Sequence, residues 1–452
     1  MVVRKRYPLF FSTGLILLLI GWGLVGCDRQ NRPRANPLDP SNPTTGGRPQ
    51  GLQAVAAHEK IVLTWPTFKL DALIGYRLYR STSGISDTTI GISSVPLAHT
   101  YIDSGVVDGQ TYTYRLSVQI QSGSTPGLIE TPLSDPVDAT PGPEHCWVID
   151  NNLGKIVTLS ADARSVSRDV ASIFGASHLA VDPSDGGCWA TTRFGGSELG
   201  PVTVRFSAKG VQEAVTTGFT LPASVAVDPR NGAVWVADTG NLLGQESSVS
   251  LLNRDGLRLF RLTGFTEPTG LAVDPNTGDC WVADKGAGRV VRIAPDGVVQ
   301  VTITAFSQPS EVAVDPMSGD CWGLDAATRR IFHLRANGTV LAAISGFQRP
   351  YKIACGVFDG SLWVTDVDAS RVFQLNRDTP DGYHIGQQSA FHVALSDFET
   401  PLAVTTDPLT GNVWISDVGR GEVTKVTSAG VIIHRSRLLA LPIALSVDPG
   451  PR

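Results

Sequence analysis

The chain has 452 residues, of which 17% are charged, and its net charge at pH 7 is −5. That length is too great for one ordinary domain and suits two or three. The acidic balance offers no basic surface to a phosphate backbone, which argues against nucleic acid as a partner. Its 47 glycines and 29 prolines favour many short strands and tight turns over long solvated helices.

The N-terminus reads as a targeting segment. Arg4, Lys5 and Arg6 precede an apolar run from Leu15 to Val25. The run is too short and too close to the terminus to be read first as a permanent membrane span. It ends Leu24-Val25-Gly26-Cys27. This order of charged start, apolar stretch and terminal cysteine resembles the bacterial lipobox. The resemblance implies cleavage after Gly26, so that residues 1–26 are a signal peptide, and a diacylglycerol thioether on Cys27. Each buried CH₂ of the acyl chains would add about 0.8 kcal/mol of membrane affinity. Asp28 resembles the inner-membrane retention signal of enteric bacteria, a rule that does not hold in every lineage, so the membrane itself stays open.

Residues 27–50 comprise the lipidated cysteine and a tether. Five prolines and almost no large apolar residues lie between 28 and 50, which predicts extended chain with no core of its own. Residues 51–142 read as a small β-sandwich. Trp65 ends a second strand, the segment IGYRLYRS alternates apolar and polar side chains, and TYTYRLSV follows the turn GVVDGQ. These marks resemble a fibronectin type III domain, with Tyr112 at the tyrosine-corner position. The resemblance implies a spacer that holds the next domain away from the membrane.

From residue 143 to 452 the chain repeats. Tryptophan recurs at 147, 189, 235, 281, 322, 363 and 414, at intervals of 42, 46, 46, 41, 41 and 51 residues. Periods of this size belong to four-stranded propeller blades. The unit reads LAVDPNTGDCW or a close variant, and Phe-x-x-Pro precedes most copies, as at Phe265 and Pro268. The first tryptophan has no Asp-Pro strand before it, and the last segment, PIALSVDPGPR, has no tryptophan after it. The C-terminal strand is therefore expected to complete the blade that opens at Cys146. The predicted architecture is all-β: a fibronectin type III-like sandwich followed by a seven-bladed β-propeller with 3+1 strand closure. The repeats resemble the NHL family of propellers and the related bacterial propellers that include streptogramin lyases. That resemblance implies a fold and assigns no activity.

Cys146, Cys188, Cys280 and Cys321 each stand directly before a repeat tryptophan. Equivalent positions in neighbouring blades are too far apart for a disulfide, so they read, with Cys355, as small buried apolar residues. No cysteine spacing suits zinc, haem or thiol redox chemistry. An acidic residue follows the tryptophan by three positions in six blades: Asp150, Asp238, Asp284, Asp325, Asp366 and Asp417, with Thr192 as the exception. A base stands five positions further at Lys155, Arg289, Arg330 and Arg371. A feature repeated in nearly every blade reads as structural, each Asp accepting backbone N–H groups in the turn and pairing with the base. The alternative is a ring of carboxylates that binds a cation. Of the histidines, His178 begins an inner strand, His333 lies in a third strand, and His384 and His392 flank a sixth-blade insertion. None repeats, and none matches a catalytic motif. Insertions at 193–201 and 239–248 decorate the Phe-x-x-Pro face, where partner surfaces form.

The sequence thus predicts a lipoprotein anchored through Cys27 on the extracytoplasmic side of a membrane, acting as a binding or scaffold protein. Its propeller face would present a surface to a protein, peptide or glycan, with no cofactor and no metal. The alternative is a metal-dependent, lyase- or lactonase-like enzyme working in the axial funnel.

Overall fold

Turns written into the repeat set the strand lengths. In Asp274-Pro-Asn-Thr-Gly278 the Asp274 carboxylate accepts the Asn276 N–H at 2.9 Å and the Thr277 hydroxyl at 3.0 Å. Gly278, at φ +80°, donates its N–H to the Asp274 carbonyl at 2.7 Å. Proline presets the first turn dihedral and glycine supplies the positive φ. The same closure recurs at Asp182–Gly186, Asp228–Gly232, Asp315–Gly319 and Asp407–Gly411.

The computed structural model describes residues 38–448, apart from 58–59, 67, 69–72, 83–84, 94–99, 108–109, 122–126, 142–144, 194–199, 241–244, 386–391 and 409. Among the described residues, 145–448 form seven four-stranded antiparallel sheets. In the fourth sheet the strands run Pro268–Val273, Cys280–Asp284, Arg289–Ile293 and Val299–Ile303, each paired with the next. The inner strands of the second to seventh sheets are Ala176–Val181, Pro222–Val227, Pro268–Val273, Pro309–Val314, Pro350–Cys355 and Pro401–Thr406. The first sheet takes its inner strand from the far end of the chain: Pro442–Asp448 pairs with His145–Asp150, with Ser446 opposite Trp147. Each inner strand touches its neighbour's, and Pro442–Asp448 touches both Pro401–Thr406 and Ala176–Val181. The array therefore closes on itself, as in propeller-type folds.

Tryptophan supplies the packing between sheets. All seven repeat tryptophans are fully buried. Trp235 packs with Leu271, Cys280 and Val282 of the next sheet, and Trp281 with Val312 and Cys321 of the one after. Trp414 packs with Cys146 and Val148, which carries the pattern across the closure. Each cysteine ahead of a tryptophan thus meets the tryptophan of the preceding sheet, where a small side chain leaves room for the indole. Cys146, Cys188, Cys280, Cys321 and Cys355 are all buried free thiols.

Residues 53–139 form two antiparallel sheets over a separate core that includes Trp65, Tyr76, Tyr114 and Leu116. Residues 38–47 depart from the extended tether expected for 28–50. They are largely turns, and Leu38 is buried in the core of those two sheets. One well-placed leucine is enough to tie a proline-rich segment down. The sixth-sheet insertion also has a defined seat. Asp381 accepts the Ala343 N–H at 2.9 Å, and Ser345 and His384 form a bridge, so residues 381–385 of the insertion lie along the outer strand of the fifth sheet.

Deleting 442–452 removes the inner strand of the first sheet and uncovers its neighbours on both sides. The expected result is loss of cooperative melting of the large domain by calorimetry, with dye binding to exposed core. A truncated protein that stays monomeric and melts unchanged would show that the ring does not close through this strand.

Candidate functional site

The inner strands start where they do because of six buried carboxylates. Asp366 accepts the N–H groups of Gln348 and Arg349, both at 2.8 Å. Asp417 accepts those of Glu399 and Thr400 at 2.7 and 2.8 Å, and Asp284 those of Thr266 and Glu267 at 2.9 and 3.0 Å. Asp238, Asp325 and Asp150 do the same for Thr220 and Leu221, Ser307 and Gln308, and Ala440 and Leu441. Each pair of N–H groups lies in the loop just ahead of the proline that opens an inner strand. Sheet pairing cannot reach these donors, and buried N–H groups need an acceptor. An ionised carboxylate with two lone-pair faces serves both, and the N–H groups in turn offset its desolvation.

The bases behave unevenly. Arg289 pairs with Asp284 at 2.9 Å, whereas Lys155 pairs with Asp169 at 2.5 Å. Among the described residues Arg330 and Arg371 make no ion pair with Asp325 and Asp366. Nor do three His, Cys, Asp or Glu side chains converge as a ligand set among the described residues. Cys27 lies outside the described residues.

Directly after the opening proline every inner strand carries an irregularity in its pairing with the second strand, as between Pro268 and Gly270 and between Pro309 and Glu311. Such bulges re-aim side chains: the residue directly after the opening proline faces the axial cavity, as Thr269, Tyr351, Leu402 and Ile443 do, and three longer side chains one place further reach it too. The second residue after the proline is Ser224, Gly270, Glu311, Lys352, Ala403 or Ala444. His178 holds the same place two residues after Ala176, which replaces the proline. Four of these seven positions are small, and Gly270 is required: a Cβ there would stand 2.8 Å from the Glu311 Cα. The other three carry chemistry.

Those three meet. Lys352 Nζ donates to Glu311 Oε1 and to His178 Nε2, the latter at 3.0 Å. The second and sixth sheets are three steps apart round a ring of seven, so the Lys352–His178 contact crosses the axis. Burial first, then the charges of Lys352 and Arg193, hold the His178 imidazole well below the usual histidine range. The ring is therefore neutral. With Nε2 accepting from an ammonium, its proton sits on Nδ1, which is buried with no partner. Burial also raises the Glu311 carboxyl, against the opposing pull of Lys352. The cluster forms part of an axial cavity of about 570 Å³, also lined by Arg193, Lys285, Arg349, Tyr351, Leu402 and Ile443. Lys285 pairs with Glu267 at 2.7 Å and Arg349 with Asp368 at 2.8 Å.

His178 read from sequence as one strand histidine among others; the ring makes it an axial residue. The signal was present in the register, where three of seven aligned positions break an otherwise small-residue pattern. His333 does not reach the axis. It stacks on Trp322 at 4.0 Å, with interplanar angle 7°, inside the fifth sheet. His384 lies at the outer edge, its Nδ1 3.1 Å from Ser345 Oγ.

Fold and site together define a propeller-type all-β ring with a charged axial cavity. The chain is similar in fold to a functionally unknown protein from Desulfotomaculum acetoxidans (15% identity, 68% of this chain and 99% of that one, TM-score 0.54). It is likewise similar to the periplasmic gluconolactonase of Pseudomonas aeruginosa (14% identity, 68% and 99%, TM-score 0.52). A streptogramin B lyase also matches, at 13% identity over 60% of this chain and 87% of that one, with a TM-score of 0.45. No protein-family model and no curated protein matches the chain.

Replacing Asp366 by Ala strands two buried N–H groups at the entry to the strand that carries Lys352. The expected loss is about 3 kcal/mol in urea unfolding; a loss below about 1 kcal/mol would show that water or another group takes over. The pH dependence has a definite sign as well. Burial lowers the His333 pKa, so below the ordinary histidine pKa the unfolded chain binds more protons than the native one and stability falls as the pH is lowered. His333→Phe keeps the stack on Trp322 and removes the proton. Melting curves from pH 8 to pH 5.5 should show the wild type losing more stability than this variant, and parallel curves would refute the assignment.

Proposed function

We propose that this chain is a lipoprotein of the cell envelope whose seven sheets are the blades of a propeller, and that the axial funnel of this propeller is its ligand-binding site. The lipobox-like order ending at Cys27 supports the anchor. A fibronectin type III-like reading of the first module is supported by Tyr112, whose hydroxyl accepts the Val107 N–H at 2.9 Å and donates to Gln110 at 2.9 Å, the geometry of a tyrosine corner. On this reading the module is a spacer and the propeller is presented to a protein, peptide or glycan whose reactive end enters the funnel. The observation that carries the proposal is the Glu311–Lys352–His178 cluster. Structural polar residues in this ring recur from sheet to sheet, and this cluster does not. A few buried polar groups converging in a concave cavity are the usual mark of a binding site.

A second reading, an enzyme acting in the funnel, is favoured by the shifted His178 and Glu311, since catalytic groups have displaced pKa values. It fits a proton-transfer reaction better than a metal-dependent one. Lys352 places an ammonium between the two side chains that would ligate a cation, and the two positive charges would repel.

Cys27→Ser should move the protein from the membrane to the soluble fraction and abolish acyl labelling. A variant still found in washed membranes would refute the anchor. For the funnel, the double change Glu311→Gln with Lys352→Met removes both charges of the pair together. Compounds and glycans that raise the wild-type melting temperature should fail to raise that of the variant. Equal stabilisation of both proteins would place the ligand elsewhere.

A further inference from the structure

We infer that the funnel is a site for a neutral, hydroxylated ring, a pyranose alone or at the end of a short saccharide. This rests on the funnel being the binding site and names its ligand class. The first argument is the wall. Every sheet gives the axial cavity the residue that directly follows the one opening its inner strand. On the sixth, seventh and first sheets, which are neighbours in the ring, these residues are Tyr351, Leu402 and Ile443. They make one unbroken apolar arc with an aromatic ring in it, and Tyr351 is 45% exposed. The second, fourth and fifth sheets contribute the hydroxyls of Ser177, Thr269 and Ser310, with the methyl of Ala223 between the first two. A wall divided in this way suits a ligand with C–H groups on one side and hydroxyls on the other, which is the build of a pyranose.

The second argument is the charge pair one place further along the strands. Glu311 is bound through Oε1, which leaves Oε2 without a partner among the described residues. Lys352 gives two of its three N–H groups to Glu311 and His178, which leaves one. Both side chains line the cavity. The pair therefore offers an acceptor and a donor side by side, and its charges cancel. An ionic group would be drawn to one member and repelled by the other. A hydroxyl both donates and accepts, so two neighbouring ligand hydroxyls satisfy the carboxylate and the ammonium together.

The third argument is the capacity of the hydroxyl arc. Thr269 donates its hydroxyl proton to the Ser310 carbonyl at 3.1 Å, which leaves its oxygen as an acceptor. The Ser310 hydroxyl has no partner among the described residues and is open to either role. At about 570 Å³ the cavity has room for such a ring. The C–H face goes to Tyr351 and Leu402, and the hydroxyls go to Thr269, Ser310 and the charge pair.

The test is calorimetric titration of the full chain with the methyl glycosides of glucose, galactose and mannose. Each is compared with its amino sugar, its uronic acid and cyclohexanol. At least one neutral pyranoside should bind, and its charged counterparts and cyclohexanol should bind about tenfold more weakly or not at all. Tyr351→Ala, at an exposed side chain outside the sheet cores, should weaken that pyranoside about tenfold, and Tyr351→Phe should recover most of the loss. The inference is overturned if no pyranoside binds, if an amino sugar or uronic acid is preferred, if cyclohexanol matches the pyranoside, or if Tyr351→Ala binds as the wild type does. Should sugars fail while other ligands still depend on Glu311 and Lys352, the funnel remains the binding site and only the ligand class falls. Should a pyranoside bind the double variant Glu311→Gln with Lys352→Met as tightly as the wild type, both readings fall.

Discussion

A buried carboxylate that accepts two backbone N–H groups from the loop before each inner strand is the interaction on which this ring depends. It fixes where the strand begins, and so how deep the bulged residues stand in the funnel. Asp325 does this for the strand that carries Glu311 and Asp366 for the strand that carries Lys352. The sheet that lacks the carboxylate is the second, where Thr192 replaces the Asp and Ala176 the proline. Three residues before Ala176 stands Ile173, where the fifth, sixth and seventh sheets carry the buried Phe306, Phe347 and Phe398. That sheet carries His178 and Arg193. The repeat is broken at the sheet that sends His178 to the funnel, which is the pattern expected when a site overrides a local structural rule.

Closure of the ring spreads the remaining burden evenly. Each tryptophan packs onto the following sheet, and Arg254 and Arg377 reach back to Asp182 and Asp315 of the preceding one, at 2.9 and 3.1 Å. These contacts are nearest-neighbour terms, as in other repeat architectures, but here the last neighbour is also the first. No sheet is then a free end, and no single axial side chain is needed to hold its sheet in place. The axial positions are free to vary because the stabilising interactions lie elsewhere, at the carboxylates and between the sheets.

This division explains what the sequence could and could not tell. The sheets were legible because tryptophan, Asp-Pro turns and the opening proline repeat in a fixed register, and the unmatched strand at Pro442–Asp448 pointed to its partner. The axial cluster was not, because its members are 174 residues apart in one case and 41 in the other, and each looks ordinary within its own repeat. Only aligning the seven inner strands on their bulge puts His178, Glu311 and Lys352 in one layer. The seat of Leu38 was hidden for a related reason: a single apolar residue in a proline-rich stretch carries no periodicity to read.

The electrostatics of the cluster follow from that layer. Three of the seven inner strands bring a polar side chain to the axial cavity at this layer, and any charged group placed there loses water without gaining a strand partner. Glu311 and Lys352 solve this for each other, on adjacent sheets. His178, across the axis, is pressed by two cations and by burial, and it answers by giving up its charge. A neutral imidazole beside an ammonium has one nitrogen committed as an acceptor, and the other carries the proton. Turning the imidazole would break the bond to Lys352, so the contact across the axis fixes the orientation of its ring.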